Sequence, residues 1–289
     1  MSTKEEPREN TYMLDTESNT EVTRLITQDQ ILTSTMGLLP PGLSLHEGAR
    51  ILDVACGPAG WVRTLAEKYP DAQVVGIDIS QTMLEYASAA AQAQHLSNVS
   101  FQFLDITKPW ELADASFDLV NARLMVGLLH GEQWPQVMAE MLRVLAPGGI
   151  IVLTDSDEPG HTNSLAFETL ALHTYSSARR TGSNQHPLGH HMGLTPLLGL
   201  YLQRTGVAEI QQEAHVIDYS AGAPAHRAVA EDFKGIFKLS QPYMVRQGIT
   251  TQQVLDALYE QLLDELEAPN FRALWYFLRI WGKKPAREE

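Results

Sequence analysis

Three aspartates follow short apolar runs of the chain, in positions where a parallel sheet would bring their carboxylates together. Asp53 precedes a glycine-containing turn in the segment DVACGPAG (53–60). Asp78 ends the run AQVVGID, 18 residues after Gly60, and Asp105 ends the run VSFQFLD. In an open α/β sheet, ligands bind outside the carboxyl ends of the strands, and a carboxylate there binds ribose hydroxyls. The spacing therefore predicts one nucleoside-binding site that contains all three carboxylates.

Short apolar runs alternate with helical patterns in the middle of the chain. The runs are ILDVA, AQVVGID, VSFQFLD, FDLVNA and IIVLTD, which begin at residues 51, 72, 99, 117 and 150. The helical patterns between them cover residues 61–68, 80–94 and 135–145. Buried strands that alternate with helices are typical of a parallel sheet with helices on both faces. We therefore predict an α/β fold with a doubly wound, mostly parallel sheet.

Helical patterns also flank this alternating region. An amphipathic helix is predicted from Asn19 to a stop at Gly37. Later helical patterns cover 163–181, 194–204, 227–239 and 251–267, and later strand patterns cover 208–220 and 271–284. We divide the chain into a tail with a lid helix (1–45), a core (46–155) and a C-terminal half (156–289). In that half, helical insertions follow the fifth strand and separate the last two strands.

The overall composition restricts the partners of the chain. Its 35 acidic and 21 basic residues give a net charge of −14, which repels nucleic-acid phosphates and anionic membrane surfaces. Cys56 is the only cysteine, which excludes an intramolecular disulfide and a cysteine-based metal cluster. The polar N-terminal segment lacks the apolar core of a signal peptide, and no apolar run is long enough to cross a bilayer. We expect a cytoplasmic monomer or homodimer without nucleic-acid or membrane partners.

The glycine-containing turn only partly matches a dinucleotide-binding fingerprint. Ala55 stands where the first glycine of that fingerprint is expected, and Asp53 stands where dinucleotide-binding domains usually carry an apolar residue. An oxidoreductase of this fold would also need a Tyr-x-x-x-Lys pair or an equivalent, whereas Tyr175 is followed by Arg179. A NAD(P)-dependent oxidoreductase is therefore a rival interpretation and not the preferred one.

The ordered motifs ILDVACGPAGW, VVGIDIS, FLDI, SFDLVNAR and LRVLAPGGIIVL resemble the class I S-adenosylmethionine-dependent methyltransferases of the small-molecule type. The resemblance covers about residues 50–155. It implies a Rossmann-like sheet of seven strands, S-adenosylmethionine as the cofactor, S-adenosylhomocysteine as the product, and no metal ion. Two glycines usual in the family are Ala55 and Ala59 here, a departure that we expect to be tolerated if both residues have negative φ.

The resemblance also implies the contacts of the cofactor. Asp53 would lie near the methionine amino group, Asp78 would bind the ribose, and Asp105 would accept a hydrogen bond from the adenine amine. The turn backbone of Ala55, Cys56 and Gly57 would line the methionine moiety. The remaining contacts that we expect are Ile79, Met83 and Ile106 at the adenine, and Asn121, Ala122 and Arg123 on the floor of the pocket.

Each of these residues also has a simpler structural interpretation. Asp53 alone would cap the turn after it, and Asp78 alone would cap the helix after it. Asp105 alone would be a turn aspartate. Met83 would equally suit the apolar core, and Cys56 would serve the packing of the turn rather than act as a nucleophile.

The predicted lid helix offers two polar side chains on one face. Arg24 and Gln28 are four residues apart, so they point the same way. In many relatives a helix before the first strand covers the cofactor and contributes a polar residue to it. The alternative is a solvated surface pair. Tyr12 is a further candidate contact in the same region.

No catalytic residue is assigned by the sequence, and three histidines remain weak candidates for a general base. His190 and His191 belong to the segment QHPLGHH, and His130 follows the fourth strand. Imidazole suits zinc or iron, but this segment has neither strong ligand spacing nor a carboxylate partner in register. We therefore expect no metal site.

These observations together favour an enzyme that methylates an oxygen, nitrogen or carbon atom of a small molecule. Five apolar side chains of the C-terminal helices suggest a largely apolar acceptor, unless they only pack the helices onto the sheet: Phe233, Ile236, Phe237, Leu255 and Leu258. The other alternative is a protein that binds S-adenosylmethionine for a regulatory role or for chemistry other than methylation.

Overall fold

A computed structural model describes residues 18–286, and Tyr12 lies outside these residues. Its strands are β1 (Arg50–Val54), β2 (Gln73–Asp78), β3 (Val99–Phe103), β4 (Phe117–Arg123), β5 (Leu145–Asp155), β6 (His161–Thr162), β7 (Ala208–Asp218) and β8 (Ala273–Lys283). Its helices are α1 (Asn19–Met36), α2 (Gly60–Lys68), α3 (Gln81–Ala93), α4 (Trp134–Val144), α5 (Leu165–Thr181), α6 (Thr195–Thr205), α7 (His226–Arg246) and α8 (Gln252–Glu267). None of these helices combines the length and hydropathy that a membrane crossing requires.

All the described strands belong to one sheet in the order β3-β2-β1-β4-β5-β8-β6, with β7 paired to β8. Strands β1 to β5 are parallel, and β8 is antiparallel to β5, β6 and β7. The order reverses between β1 and β4, which creates the switch point where such sheets bind ligands. The predicted doubly wound, mostly parallel sheet is confirmed. The sheet has eight strands rather than the predicted seven. The additional strand is β6, which the sequence did not predict because two residues leave no recognisable pattern.

Side chains of β1 alternate between two hydrophobic cores, one on each face of the sheet. Ile51 belongs to the core that contains Leu65 of α2. The next residue, Leu52, belongs to the core that contains Met141 of α4 and Leu198 of α6. Because successive residues of a strand point to opposite faces, an all-apolar strand requires a helical layer on each side.

The helical insertions form a third core with α1 and β8. Phe233 and Phe237 of α7 each contact Phe167 of α5 edge to face, with ring centroids 5.1 Å apart. Leu255 of α8 and Trp275 of β8 belong to the same core. Packing inside this core accounts for the apolar face of each insertion helix.

Helix α7 is seven residues longer at its C-terminal end than the predicted helix over 227–239. It continues through Pro242 to Arg246, although proline lacks the N–H of one helical hydrogen bond. Gln241 and Met244 are buried on this last stretch. Their burial stabilises turns of helix that local sequence preference disfavours.

Arg279 of β8 joins the C-terminal end of α1 to the sheet. Its guanidinium donates to the carbonyl oxygens of Met36 at 2.7 Å, of Gly37 at 3.0 Å and of Leu39 at 3.0 Å. It also forms an ion pair with Glu213 of β7 at 3.3 Å. Arg279 is buried, so no water replaces these contacts. The side chain therefore fixes the position of α1 relative to the strands.

We expect Arg279→Met to lower the free energy of unfolding by about 3 kcal/mol, because it removes three hydrogen bonds to backbone carbonyls, one of them buried, and the ion pair with Glu213. The matched control is Lys283→Met on the same strand, which removes the solvent-exposed pair with Glu209 and should cost less than about 1 kcal/mol. Urea denaturation measures both changes. Equal losses for the two variants would contradict the role of Arg279.

Candidate functional site

A cavity of about 210 Å³ lies at the carboxyl ends of β1, β2, β3 and β4 and is covered by α1. Its described lining carries four carboxylates and one cation, namely Asp29, Asp53, Asp78, Asp105 and Arg123. The structure therefore brings together Asp53, Asp78 and Asp105, as expected from the parallel sheet. Asp29 comes from α1 and was not predicted.

The glycine turn (residues 55–60) joins β1 to α2 at the base of this cavity. Ala55 and Ala59 have φ of +54° and +57°, and Gly57 has φ of +53°. Neither alanine therefore meets the condition of negative φ under which the departure from glycine was expected to be tolerated. A left-handed conformation costs a residue with a Cβ roughly 1–2 kcal/mol, so the turn stores strain. Such strain persists only where surrounding contacts impose it.

Backbone hydrogen bonds to β2 impose this conformation. The Cys56 amide donates to the carbonyl oxygen of Ile77 at 2.9 Å, and the Gly57 amide donates to Oδ2 of Asp78 at 2.8 Å. The other oxygen of Asp78 accepts the Ser80 amide at 2.8 Å. Ser80, not Asp78, caps α3, because its hydroxyl accepts the amide of Met83. The simpler interpretation of Asp78 as the helix cap is therefore wrong.

Asp53 lies buried beneath the turn and is held by a neighbouring strand. The side-chain amide of Asn121 on β4 donates to Oδ1 of Asp53 at 2.7 Å. Burial raises the pKa of Asp53 to about 7, although the charge of Arg123 and the bond from Asn121 oppose that rise. Asn121 orients Asp53 and does not itself line the cavity. Ala122 packs in the core shared with α4 and α6 and is outside the described lining of the cavity.

The far end of the cavity is formed by the segments that follow β2 and β3. Ile79 and Met83 line it on one side, and Asp105 and Ile106 line it on the other. Oδ1 of Asp105 accepts the amide of Thr107 at 2.9 Å and its hydroxyl at 2.6 Å. Asp105 is therefore a turn aspartate and a lining residue at once.

Arg123, at the end of β4, forms an ion pair with Asp29 of α1. Its guanidinium also donates to the hydroxyl of Thr33 at 3.2 Å. This contact joins the covering helix to the floor of the cavity. Helical spacing could have predicted that Asp29 lines the cavity, because Leu25, Asp29 and Leu32 share one helix face with the predicted Gln28.

Apolar side chains of the loop after β4 complete the wall. Leu124, Leu128 and Leu129 line the cavity, and Leu124 adopts a φ of +55°. Asp155 at the end of β5 supports this loop, since its carboxylate accepts the Val126 amide at 3.1 Å. Burial raises the pKa of Asp155. Asp155 ends a predicted strand, but no pattern in the sequence indicates this supporting role.

The two polar residues predicted on the lid helix have different environments. Arg24 does not line the cavity, because its guanidinium is engaged by Glu21 and by Asp232 of α7. Gln28 does line the cavity and also donates to Asp232 at 3.1 Å. Both side chains are less than a tenth exposed, so the alternative of a solvated surface pair is wrong. The structure therefore does not place Arg24 in the described lining, where a contact with a ligand was expected.

No histidine belongs to the described lining. The rings of His190 and His191 pack against His186, with centroids 5.7 and 4.0 Å apart. The backbone amide of His130 donates to the side-chain oxygen of Gln133, which lines the cavity, whereas His130 itself does not. The structure therefore does not place any of the three candidate bases at the site. Within residues 18–286 no group of His, Cys, Asp and Glu side chains could hold a metal ion.

Cys56 lines the cavity as a neutral thiol. Burial raises its pKa well above the usual value, and the charges of Asp78 and Asp53 act in the same direction. A Cβ added to Gly76 of β2 would lie 2.8 Å from the sulfur of Cys56. The thiol thus fills the space that Gly76 leaves open, as the packing interpretation predicts.

Gly60 allows Asp29 to reach Arg123, and we predict that a Cβ there breaks this contact. The added carbon of Gly60→Ala would collide with the carboxylate of Asp29, although alanine favours the helical backbone of α2. We expect Gly60→Ala to destabilise the fold by about 1–3 kcal/mol. In an Asp29→Ala background the loss should fall to less than half, as measured by urea denaturation. The same loss in both backgrounds would contradict this explanation.

The family described as "Methyltransferase domain" matches residues 45–192. The secondary metabolism regulator laeA of Monascus pilosus is 28% identical over 166 residues, which are 57% of this chain and 42% of that protein. Demethylmenaquinone methyltransferase of Geobacillus kaustophilus is 34% identical over 121 residues, which are 40% of this chain and 49% of that protein. The chain thus spans less than half the length of these curated relatives.

Solved structures share the fold at low sequence identity. Phosphoethanolamine N-methyltransferase 2 of Haemonchus contortus, in complex with S-adenosyl-L-methionine, has a TM-score of 0.55 and 19% identity. That match covers 93% of this chain and 57% of the other. The YcgJ protein of Bacillus subtilis has a TM-score of 0.52 and 16% identity, and covers 90% of this chain and 99% of the other. Since the family match includes more than half of the chain, this protein belongs to the methyltransferase domain family.

Proposed function

We propose that the protein binds S-adenosylmethionine in the cavity and transfers its methyl group to a small, largely apolar acceptor. The observation that carries the proposal is the charge of the lining, in which four carboxylates face one guanidinium. S-adenosylmethionine carries two positive charges, on its amino group and sulfonium, and one negative carboxylate. An excess of carboxylates over cations therefore suits this ligand, whereas the pyrophosphate of a dinucleotide would be repelled.

The positions of the charged groups also suit the shape of this cofactor. Asp53 and the glycine turn would hold the methionine amino group, and Arg123 is the lining cation available for its carboxylate. Asp78 would hold the ribose, while Asp105 would hold the adenine amine between the apolar side chains of Ile79 and Met83. These roles agree with the lining, in which all of these side chains take part.

The glycine turn leaves room for a ligand against its backbone. A Cβ at Gly57 would meet only Leu25 of α1, at 3.7 Å, and no other atom within 4 Å. The missing side chain therefore leaves space under the covering helix rather than serving protein packing. Such a space allows a cofactor to approach the backbone of the turn closely.

The bound cofactor would supply a methyl group activated by a positively charged sulfur, ready for in-line displacement. The chain's own residues then have to position the acceptor and exclude water. Orientation of this kind is worth about 7–11 kcal/mol of the barrier. Leu124, Leu128 and Leu129 supply an apolar wall for that purpose. Because the described lining contains no histidine and Cys56 is a neutral thiol, we propose catalysis by orientation rather than by a histidine or thiolate base.

The apolar acceptor is supported by these leucines and not by the helices that first suggested it. Phe233, Phe237 and Leu255 are buried in the third core, and Ile236 and Leu258 pack against it. The name of the relative demethylmenaquinone methyltransferase agrees with a small apolar acceptor. The net charge of −14 argues against a nucleic-acid acceptor.

Binding of S-adenosylmethionine without methyl transfer is the second candidate function. It is favoured by the similarity to a protein named as a regulator of secondary metabolism. Both functions need the same cofactor site. They differ in whether the apolar end of the cavity admits an acceptor.

Calorimetric titration and a turnover assay test the proposal together. We expect S-adenosylmethionine to bind and NADH not to bind, and Asp78→Ala to weaken cofactor binding at least tenfold, because it removes both the ribose acceptor and the partner of the Gly57 amide. Release of S-adenosylhomocysteine is then measured with phenols, quinols, amines and terpenoids. Binding of NADH instead would refute the cofactor assignment. Cofactor binding without turnover on any acceptor class would favour the regulatory alternative.

We predict that cofactor affinity rises with pH through the titration of Asp53. Burial raises its pKa to about 7, so the carboxyl group is mostly neutral below that pH and mostly anionic above it. Only the anion attracts the positively charged amino group. Affinity should therefore increase about tenfold between pH 6 and pH 8 and fall as the pH drops below 7. Asp53→Asn should bind more weakly and remove most of this dependence. An unchanged pH profile in that variant would contradict the role of Asp53.

A further inference from the structure

Asp232 of α7 lies at the centre of a buried polar network that contacts the cavity through one residue. Its Oδ1 accepts Nη1 of Arg24 at 2.7 Å, and its Oδ2 accepts Nε2 of Gln28 at 3.1 Å. Glu21 holds the other side of the same guanidinium at 2.6 and 2.7 Å. Asp232 is 1% exposed and does not line the cavity. Gln28 is the hydrogen-bond partner of Asp232 that belongs to the described lining of the cavity.

The network determines which end of the Gln28 amide faces the cavity. An ionised carboxylate accepts hydrogen bonds and donates none, so it selects the NH2 group of the amide as its partner. The carbonyl oxygen of Gln28 accepts no hydrogen bond within residues 18–286. Because Gln28 also lines the cavity, this oxygen is the atom that a ligand would meet.

We propose that Asp232 is a positioning residue that fixes Gln28 with its carbonyl oxygen toward the ligand. The site then presents an acceptor to an N–H, O–H or positively charged group of the bound cofactor, and not a donor. This inference rests on the proposed cofactor site. It adds that a residue of α7, rather than of the sheet, decides whether Gln28 presents a hydrogen-bond acceptor or a donor to the ligand.

The position of Gln28 on α1 indicates where this acceptor acts. Leu25, one turn earlier on the helix, lies against the place of a Gly57 side chain, and Asp29 forms its ion pair with Arg123. Gln28 lies between these two contacts along α1. Its carbonyl oxygen therefore belongs to the end of the cavity above the glycine turn, where the cofactor carries its amino group.

Substitution of Asp232 by asparagine tests the polarity directly. Arg24 donates only, so the carbonyl of the substituted side chain would remain with Arg24 and its NH2 group would face Gln28. The Gln28 amide would then have to turn its oxygen to this new donor and its NH2 group to the cavity. We expect Asp232→Asn to weaken S-adenosylmethionine binding about tenfold, the effect of losing one hydrogen bond to a charged group.

A reciprocal substitution should restore binding. In Asp232→Asn/Gln28→Glu, one carboxylate oxygen at position 28 would accept from position 232, and the other would face the ligand. The network keeps its charge and the cavity keeps its acceptor, so affinity should return to within about threefold of the native value. The matched control is Gln28→Ala, in which the further change Asp232→Asn should alter affinity by less than twofold.

Calorimetric titration of S-adenosylmethionine against these variants separates positioning from general damage. A merely structural role predicts that Asp232→Asn weakens binding equally in the native and Gln28→Ala backgrounds, and that Gln28→Glu does not rescue it. Either result would overturn the proposal. Native affinity in the single variant Asp232→Asn would also overturn it.

A second measurement does not depend on the cofactor. In the native chain the side-chain NH2 protons of Gln28 should exchange slowly with deuterium, because they donate to a buried carboxylate, and Gln28→Ala identifies their resonances. In Asp232→Asn they should exchange at least tenfold faster. If the native chain binds no S-adenosylmethionine, the proposed function fails while this exchange still decides the orientation of Gln28. Equal exchange rates in the two proteins would refute the positioning role.

Discussion

The site depends on the hydrogen bonds that attach the glycine turn to the end of β2. The turn carries two alanines in a left-handed conformation, which they would not adopt in an isolated peptide. The amides of Cys56 and Gly57 are fixed by Ile77 and by the Asp78 carboxylate. One aspartate therefore both shapes the turn and lines the cavity above it. The same hydrogen bonds to β2 therefore maintain the strained turn and fix the Asp78 carboxylate that lines the cavity.

All four carboxylates at this site have protein partners, and that of Asp78 is the Gly57 amide. Asp29 has Arg123, Asp53 has Asn121, and Asp105 has Thr107. Partnered carboxylates keep a defined geometry, which a binding site requires before the ligand arrives. Asp53 is the exception in its charge, because burial raises its pKa to about 7 despite its amide partner. A positively charged ligand therefore favours the ionised form of Asp53, whose charge burial alone disfavours.

The helical insertions hold α1 over the cavity, and α5 to α8 contribute no side chain to its described lining. Their aromatic side chains form a core with α1 and β8, and Arg279 fastens the end of α1 to the sheet. Asp232 extends this support to Gln28 at the cavity. The insertions thereby affect the site through the position of α1. Variation in them would change how α1 covers the ligand more than it would change the sheet-borne contacts.

The sequence by itself determined that the first five strands are parallel and that Asp53, Asp78 and Asp105 lie at one edge of their sheet. Both follow from local patterns, because buried strands are continuous apolar runs and their carboxyl ends share one edge of the sheet. Only the tertiary structure decided the roles of Asp29, Asp155 and Asp232, each of which acts on a partner distant in the chain. It also decided that Ala55 and Ala59 are left-handed and that Arg24 faces carboxylates rather than the cavity. Local spacing cannot encode these features, because they arise from contacts between segments that are far apart in sequence: the turn with β2, the loop after β4 with β5, and α1 with β4 and α7.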